Sequence, residues 1–314
     1  MKHQFLSLLR KIFGIHQMHW ELDDRINKMR LEFLSEQRRN LLWEHILNDT
    51  ESGVTSEKYA DCDIIVSLTS YSKRMMEAAL TIESIMQQTM KANRIVLWLA
   101  HEDYRNIPLS LRMLQKRGLE IMECDDLKSY KKIIPSLRHF PDDVLITIDD
   151  DIFYNPDILE RLITAYLVEP QYIHCSRAFR IETASDGTIL PYNQNRNSAS
   201  ENKAGKYNLF VGCGGILYPP HSMDQEVLNE EVFMDICKYA DDIWLYAMAL
   251  KKGTLISKVS SNCPDGEDYL YNQRVQSSGL FYINVENKNL NDIQFNAVIR
   301  KYNLFDCLKP RNLR

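Results

Sequence analysis

Three consecutive carboxylates, Asp149, Asp150 and Asp151, follow directly on the apolar run Val144-Leu-Ile-Thr-Ile148. Side by side, such groups repel one another unless a positive charge sits among them. The run before them is short, apolar and rich in β-branched residues, so it reads as a buried strand of a parallel sheet. In open α/β sheets, ligands bind beyond the carboxyl ends of the strands. A hard divalent cation with oxygen ligands satisfies both conditions, and such ions often bring a substrate phosphate. The plainer alternative is that the acids cap the next helix. Asn155-Pro156-Asp157 already supplies a helix start, with Asn155 as N-cap and Pro156 in the first helical position. The triple acid is therefore left over for chemistry.

Four other groups belong beside it. Thr69-Ser-Tyr-Ser-Lys-Arg74 closes an earlier strand with hydroxyls and two cations, and Asp125-Asp-Leu-Lys-Ser-Tyr-Lys-Lys132 follows another. Gly212-Cys-Gly-Gly215 lets a second backbone or a ligand approach closely. Asp241 and Asp242 open a strong helix that runs to Lys252 and ends at Gly253. Taken singly, each is an ordinary turn, bulge or cap. Together they converge on one edge of a sheet.

The elements that must position these groups alternate. Strands are expected at Ile64–Thr69, Arg94–Leu99, Leu119–Met122 and Val144–Ile148. Helices are expected through Ala78–Gln87, Leu109–Lys116 and Lys131–His139. That order predicts an α/β domain, a mainly parallel sheet covered by helices on both faces. Tyr172–Ala178 reads as a strand, Thr183–Lys206 as polar loop, and Phe210–Tyr218 as a strand stopped by Pro219-Pro220. The absence of GxGxxG after the first strand disfavours a dinucleotide-binding domain. Ahead of the domain, residues 17–48 read as helix, with Leu22, Ile26, Met29 and Phe33 at helical spacing. The polar stretch 48–60, which contains Gly53, is the best linker, so the chain divides into an arm (1–60) and a main domain (61–314).

Composition narrows the classes. A net charge of −5 lacks the basic footprint of a generic nucleic-acid binder, so no nucleic-acid partner is expected. Seven scattered cysteines without CxxC spacing fit a reducing, cytoplasmic setting. No apolar run approaches a membrane span. Residues 1–16 interleave Phe5, Leu6, Leu8, Leu9, Ile12 and Phe13 with Lys2, Arg10 and Lys11 and carry no acid. That pattern is a candidate peripheral contact with the inner face of the plasma membrane.

The ordered set TSY…R (69–74), DLKSYKK (126–132), ITIDDDIFYNPDIL (146–159), GCGGILYPP (212–220) and ADDIW (240–244) resembles the nucleotide-sugar-dependent glycosyltransferases of the GT-A (Rossmann-like) fold. The similarity is greatest to bacterial polysaccharide-type enzymes, with a looser likeness to exostosin-like ones. It spans roughly residues 62–300 and leaves out the arm. The resemblance implies that Asp149 and Asp151 form a DxD pair, with Asp151 ligating Mn²⁺ or Mg²⁺ at the diphosphate. It implies that Asp149 and Asp150 face ribose or metal, and that Thr69, Arg74, Asp126 and Lys132 hold the nucleotide. Gly214 and Gly215 would line the sugar and acceptor side, and Asp242, or its neighbour Asp241, would act at the reacting carbon. The implied reaction moves a hexose-type sugar from a nucleoside-diphosphate sugar to a glycan or lipid-linked acceptor in surface-polysaccharide synthesis. One departure stands out: many such enzymes add a C-terminal histidine ligand, and here no histidine follows His221. Other oxygens must complete the shell, or metal binds weakly without nucleotide.

Competing readings fit less well. A haloacid-dehalogenase-like phosphohydrolase places its DxD on the first strand and normally has Thr or Val where this chain has Phe153. A non-catalytic scaffold on a nucleotide fold would not need acids at both candidate sites. A nucleotidyltransferase would need a Gly-rich, Arg-containing phosphate loop after the first strand.

Overall fold

The computed structural model describes residues 2–184, 188–195, 197–263, 268–276 and 289–308, with side chains from residue 18 onward. Helix α1 (Lys2–Asn48) precedes β1 (Ile64–Thr69), α2 (Met75–Met86) and β2 (Arg94–Ala100). Two short helices, α3 (His101–Tyr104) and α4 (Leu109–Gln115), lead to β3 (Leu119–Cys124) and α5 (Ile134–His139). Next come β4 (Val144–Thr147), β5 (Ile152–Tyr154), α6 (Ile158–Val168), β6 (Ile173–Cys175) and β7 (Ala178–Arg180). The order continues β8 (Asn208–Phe210), β9 (Ile216–Tyr218), α7 (Glu230–Ile236), α8 (Asp241–Lys252) and β10 (Ile256–Lys258). The last elements are β11 (Tyr269–Tyr271), α9 (Leu290–Lys301) and α10 (Phe305–Leu308).

Seven strands form the main sheet in the order β10-β6-β9-β4-β1-β2-β3. Neighbours run parallel except at β9, which is antiparallel to both β4 and β6. This is the α/β, mixed but mainly parallel, Rossmann-like sheet that the alternation of elements predicts. The strands are apolar on both faces because both faces are covered. Ile65, Val96, Trp98 and Leu145 pack into the layer that contains α8 and α9. Their neighbours Ile64, Val66, Ile95, Leu97 and Ile146 pack into the layer of α2, α4 and α6. Successive side chains thus serve alternate cores, as a two-residue repeat requires.

Several local expectations change. Helix α6 starts at Ile158 with Asp157 at its cap position, rather than at Asn155-Pro156. The carbonyls of Asn155 and Pro156 accept from Gln88 Nε2 and the Thr89 amide, which holds this stretch as a turn. The expected helix 131–139 is broken at Ile133: Lys128–Lys132 is a 3₁₀ turn and only Ile134–His139 is α-helical. The 210–218 stretch is two strands parted by a 3₁₀ turn at Gly212–Gly214, and Gly215 at φ +89° starts the second. Helix α8 matches expectation, closed by Gly253 in the left-handed region.

The second half of α1 is anchored. Leu42 and Ile46 are buried, and Arg39 clamps Glu77 of α2 through two bonds of 3.1 and 2.7 Å. His45, Asp49 and Glu83 gather ligand-type atoms within 4.8 Å, but Arg117 Nη1 lies 2.5 Å from Glu83 and supplies the counter-charge. The 49–63 stretch is irregular yet tied down: the Gly53 amide donates to the Arg117 carbonyl (2.8 Å) and the Thr55 amide to that of Ala92 (3.0 Å). Gly53 is buried, and an added Cβ would lie 2.3 Å from Met86 Cγ. Gly53→Ala should therefore cost about 1–3 kcal/mol of overpacking, read as a lower urea midpoint. An unchanged midpoint would mean that 49–63 is a slack tether.

Candidate active site

The carboxyl ends of β1, β3 and β4 and the amino end of α8 open onto one cleft of about 2060 Å³. Thr69, Arg74, Asp126, Lys132, Asp149, Asp150, Asp151, Asp241 and Asp242 all line it. Gly214 and Gly215 do not. Gly214 backs onto Ser176 and Arg177, and Gly215 onto Leu162 and Ile158, so both are packing positions. The expectation that they face sugar or acceptor is corrected.

The three consecutive acids divide between two cations, Lys132 for Asp149 and Arg74 for Asp150 and Asp151. Asp150 turns inward, 8% exposed: Arg74 binds both its oxygens through Nη2 and Nε (the latter 3.2 Å), and Ser70 Oγ donates at 2.6 Å. Thr81 Oγ1 donates to its carbonyl at 3.0 Å. Arg74 also reaches Asp151 Oδ2 at 3.1 Å and the Val275 carbonyl at 3.2 Å. Asp150 is therefore a brace rather than a ligand, and Arg74 is committed to the brace rather than free for nucleotide.

All three acids line the cleft, and the Asp149 side chain is the most exposed at 31%, against 15% for Asp151 and 9% for Asp150. Asp151 accepts from Gln276 Nε2 at 3.1 Å. Burial, then repulsion from Asp150 and Asp149, outweighs Arg74 and raises its pKa to about 6. A carboxylate held that far up is one short of positive charge.

Lys132 joins the two halves of the site. Its Nζ lies 2.8 Å from Asp149 Oδ1 and 2.9 Å from Asp241 Oδ2, at 6% side-chain exposure. Burial opposes its charge, but Asp149, Asp241 and Asp242 outweigh burial and keep the ammonium protonated. Its place is set from the sheet: Ser67 Oγ, in the middle of β1, donates to the Lys132 carbonyl at 2.6 Å.

Asp242 sits in the first turn of α8, where the helix dipole favours an anion. Its Oδ2 accepts from the Gly212 amide at 2.8 Å, while Oδ1 is buried without a partner among the described residues. Burial and the neighbouring Asp241 raise its pKa to about 7. That value suits a general base at neutral pH. Gly212 permits the arrangement, because a Cβ there would lie 2.9 Å from Asp242 Oδ1 and 3.0 Å from Lys132 Nζ.

The remaining expected residues are peripheral. Thr69 Oγ1 donates to the Trp98 carbonyl at 2.8 Å, so its hydroxyl is spent on the sheet. Asp126 is opposed by burial but held ionised by Lys128 and Lys131, and its pKa falls to about 2. Sequence reading missed Arg177. Its Nη1 donates to Tyr269 Oη (2.7 Å), Tyr271 Oη (3.1 Å) and Cys213 Sγ (3.3 Å) on the cleft wall. No carboxylate pairs with it among the described residues. It also missed Tyr154, whose hydroxyl donates to the Cys213 carbonyl (3.0 Å) and accepts from the Asp149 amide (3.0 Å). Arg177 lies in none of the quoted motifs, and Tyr154 sits inside ITIDDDIFYNPDIL, where the acids draw the attention.

The donor set suits a divalent cation. At its centre Asp149, Asp150, Asp151, Asp241 and Asp242 meet the ion-paired Arg74 and Lys132. The only trio of ligand-type atoms within 4.8 Å among the described residues is the one at His45, away from this cleft. Asp149 and Asp151 would each offer a carboxylate oxygen to such an ion, with water or phosphate supplying the remaining ligands.

No known family matches the chain, and no curated protein matches it. Among solved structures it is similar to a CMP:2-keto-3-deoxy-manno-octonic acid synthetase complexed with CTP, at 13% identity and a TM-score of 0.40. The alignment covers 72% of this chain and 100% of that one.

The raised pKa of Asp242 has a thermodynamic sign. A carboxyl with a folded pKa near 7 and an unfolded value of 3.8 binds its proton more tightly when folded. Its contribution is present at acid pH and lost as pH rises from about 4 through about 7. Wild type should therefore lose melting temperature relative to Asp242→Asn between pH 5 and 8 in metal-free buffer. Parallel curves would refute the shift.

Proposed function

We propose that the chain is a metal-dependent glycosyltransferase of the GT-A type. It moves a hexose-type sugar from a nucleoside-diphosphate sugar to a hydroxyl of a glycan or lipid-linked acceptor, in cytoplasmic surface-polysaccharide synthesis. Residues 61–314 form the transferase domain, and residues 1–60 its arm. One observation carries the reading. Asp149, Asp151 and Asp242 line the same cleft, and the buried ammonium of Lys132 joins Asp149 to Asp241, the neighbour of Asp242.

Asp149 and Asp151 would hold Mn²⁺ or Mg²⁺, which when bound offsets negative charge on the departing diphosphate. Lys132 keeps Asp149 ionised and oriented, and adds a fixed positive charge behind it. Arg177 presents a guanidinium on the cleft wall, with donors suited to phosphate oxygens. Asp126, ionised at any working pH, suits the hydroxyls of a ribose. Asp242 Oδ1 accepts the proton of the attacking hydroxyl in an inverting reaction. At a pKa of about 7 it is part-deprotonated under neutral conditions and takes up the proton readily. The inward Asp150 and Arg74 brace this frame from behind.

Calorimetric titration with UDP, GDP, CMP and dTDP, with and without Mn²⁺, tests the reading. One nucleoside diphosphate should bind only with metal, and Asp151→Ala should weaken it at least roughly tenfold. Metal alone should bind weakly, because two carboxylates leave most of the shell open. No nucleotide binding under any condition would sink the proposal. With the matching donor sugar, the product must be nucleoside diphosphate; pyrophosphate released instead from a nucleoside triphosphate incubated with a free sugar or sugar phosphate would mean nucleotidyl transfer. Asp242→Asn should lower kcat about 10²–10³-fold with little change in donor KM.

A further inference from the structure

In the first half of α1, every residue from Met18 to Arg30 is exposed. Apolar side chains nevertheless recur along it. Leu22, Ile26, Met29 and Phe33 are 53%, 56%, 69% and 63% exposed, and their spacing alternates four, three, four. At 3.6 residues per turn these four stay within one narrow stripe. Ser35, Leu42 and Ile46, through which α1 touches the domain, fall on roughly the opposite face. The stripe therefore faces away from the surface on which α1 docks among the described residues.

In the sequence the same alternation continues back to Phe5. Written as heptads, Phe5, Ile12, His19, Ile26 and Phe33 take position a. Leu8, Ile15, Leu22 and Met29 take position d. Nine successive seam positions hold one polar residue, His19, and Glu36 ends the pattern where the helix meets the domain. Seams of this length and period argue for a coiled coil. A helix lying on an anionic membrane needs a basic polar face instead, and Glu21, Asp23, Asp24 and Glu32 oppose that.

Charge identifies the partner. The first twenty residues carry Lys2, Arg10 and Lys11 and no acid. The following stretch to Glu36 holds five acids against Arg25, Lys28 and Arg30. Two copies running antiparallel lay the basic stretch of each helix over the acidic stretch of the other. A parallel pair sets like against like. We propose that α1 is a dimerisation arm, pairing with a second copy of this chain as an antiparallel coiled coil.

Sedimentation equilibrium of the full chain at micromolar concentration tests this, alongside the double variant Leu22→Asp, Ile26→Asp. Wild type should weigh two chains and the variant one, a loss of at least roughly a hundredfold in dimer affinity. Both substitutions are exposed in the single chain, so nucleotide binding in the cleft should be unchanged. A monomeric wild type, or a variant that stays dimeric, overturns the proposal. Flotation with phosphatidylglycerol vesicles that is lost in the variant, with wild type at one chain mass, assigns the stripe to a membrane instead. Added salt should weaken the dimer by screening; a dimer indifferent to salt rules out the antiparallel arrangement.

Discussion

The site depends on one buried ammonium. Lys132 Nζ sits between Asp149, at the end of β4, and Asp241, at the start of α8. Those elements lie on different sides of the sheet edge, and without a shared cation their carboxylates would repel across the cleft. Burying a lone ammonium is costly, so the arrangement holds only because several acids surround it. The backbone supplies the rest. Ser67 interrupts the apolar face of β1 with a hydroxyl that fixes the Lys132 carbonyl, and that hydroxyl also contacts Ser136 Oγ at 2.7 Å. A strand residue that looks like a flaw in an apolar run is what aims the lysine.

A second brace sorts the triple acid. Arg74 neutralises Asp150 on both oxygens, and it draws that carboxylate into the layer beneath α2. The chain reversal into β5 then leaves Asp149 and Asp151 the more exposed of the three at the cleft. Three adjacent acids thereby become one structural anion and two available ones. The raised pKa of Asp151 follows from the same geometry, since one guanidinium shared between two carboxylates compensates neither in full.

The segment after β10 ties the arm to this centre. Ser35 of α1 donates to the Tyr271 carbonyl, and Glu36 pairs with Arg274. From the same segment, the Asn272 amide donates to the Asp151 carbonyl and Gln276 to the Asp151 carboxylate. Tyr269 and Tyr271 hold Arg177. A few residues of chain therefore touch the root of the arm, one outward acid and the cleft wall at once.

The sequence by itself determined the sheet and marked the acids that gather at its edge. Apolar runs with two-faced burial need no partner to be recognised, and acids at a strand end or a helix start are conspicuous because their charge must be met. Asp149, Asp151, Asp241 and Asp242 were legible for that reason, whereas Lys132 was marked only through the resemblance of DLKSYKK, as a nucleotide contact. Tertiary structure decided which acid turns inward, because that depends on Arg74 arriving from another element. It decided that Gly212, rather than Gly214 or Gly215, makes room at the site, since only packing reveals what a missing Cβ would strike. It alone placed Arg177 on the cleft wall and the buried Tyr154 behind Asp149. Their contacts cross dozens of residues, to Tyr269 and to Cys213, and local spacing carries no record of such distances.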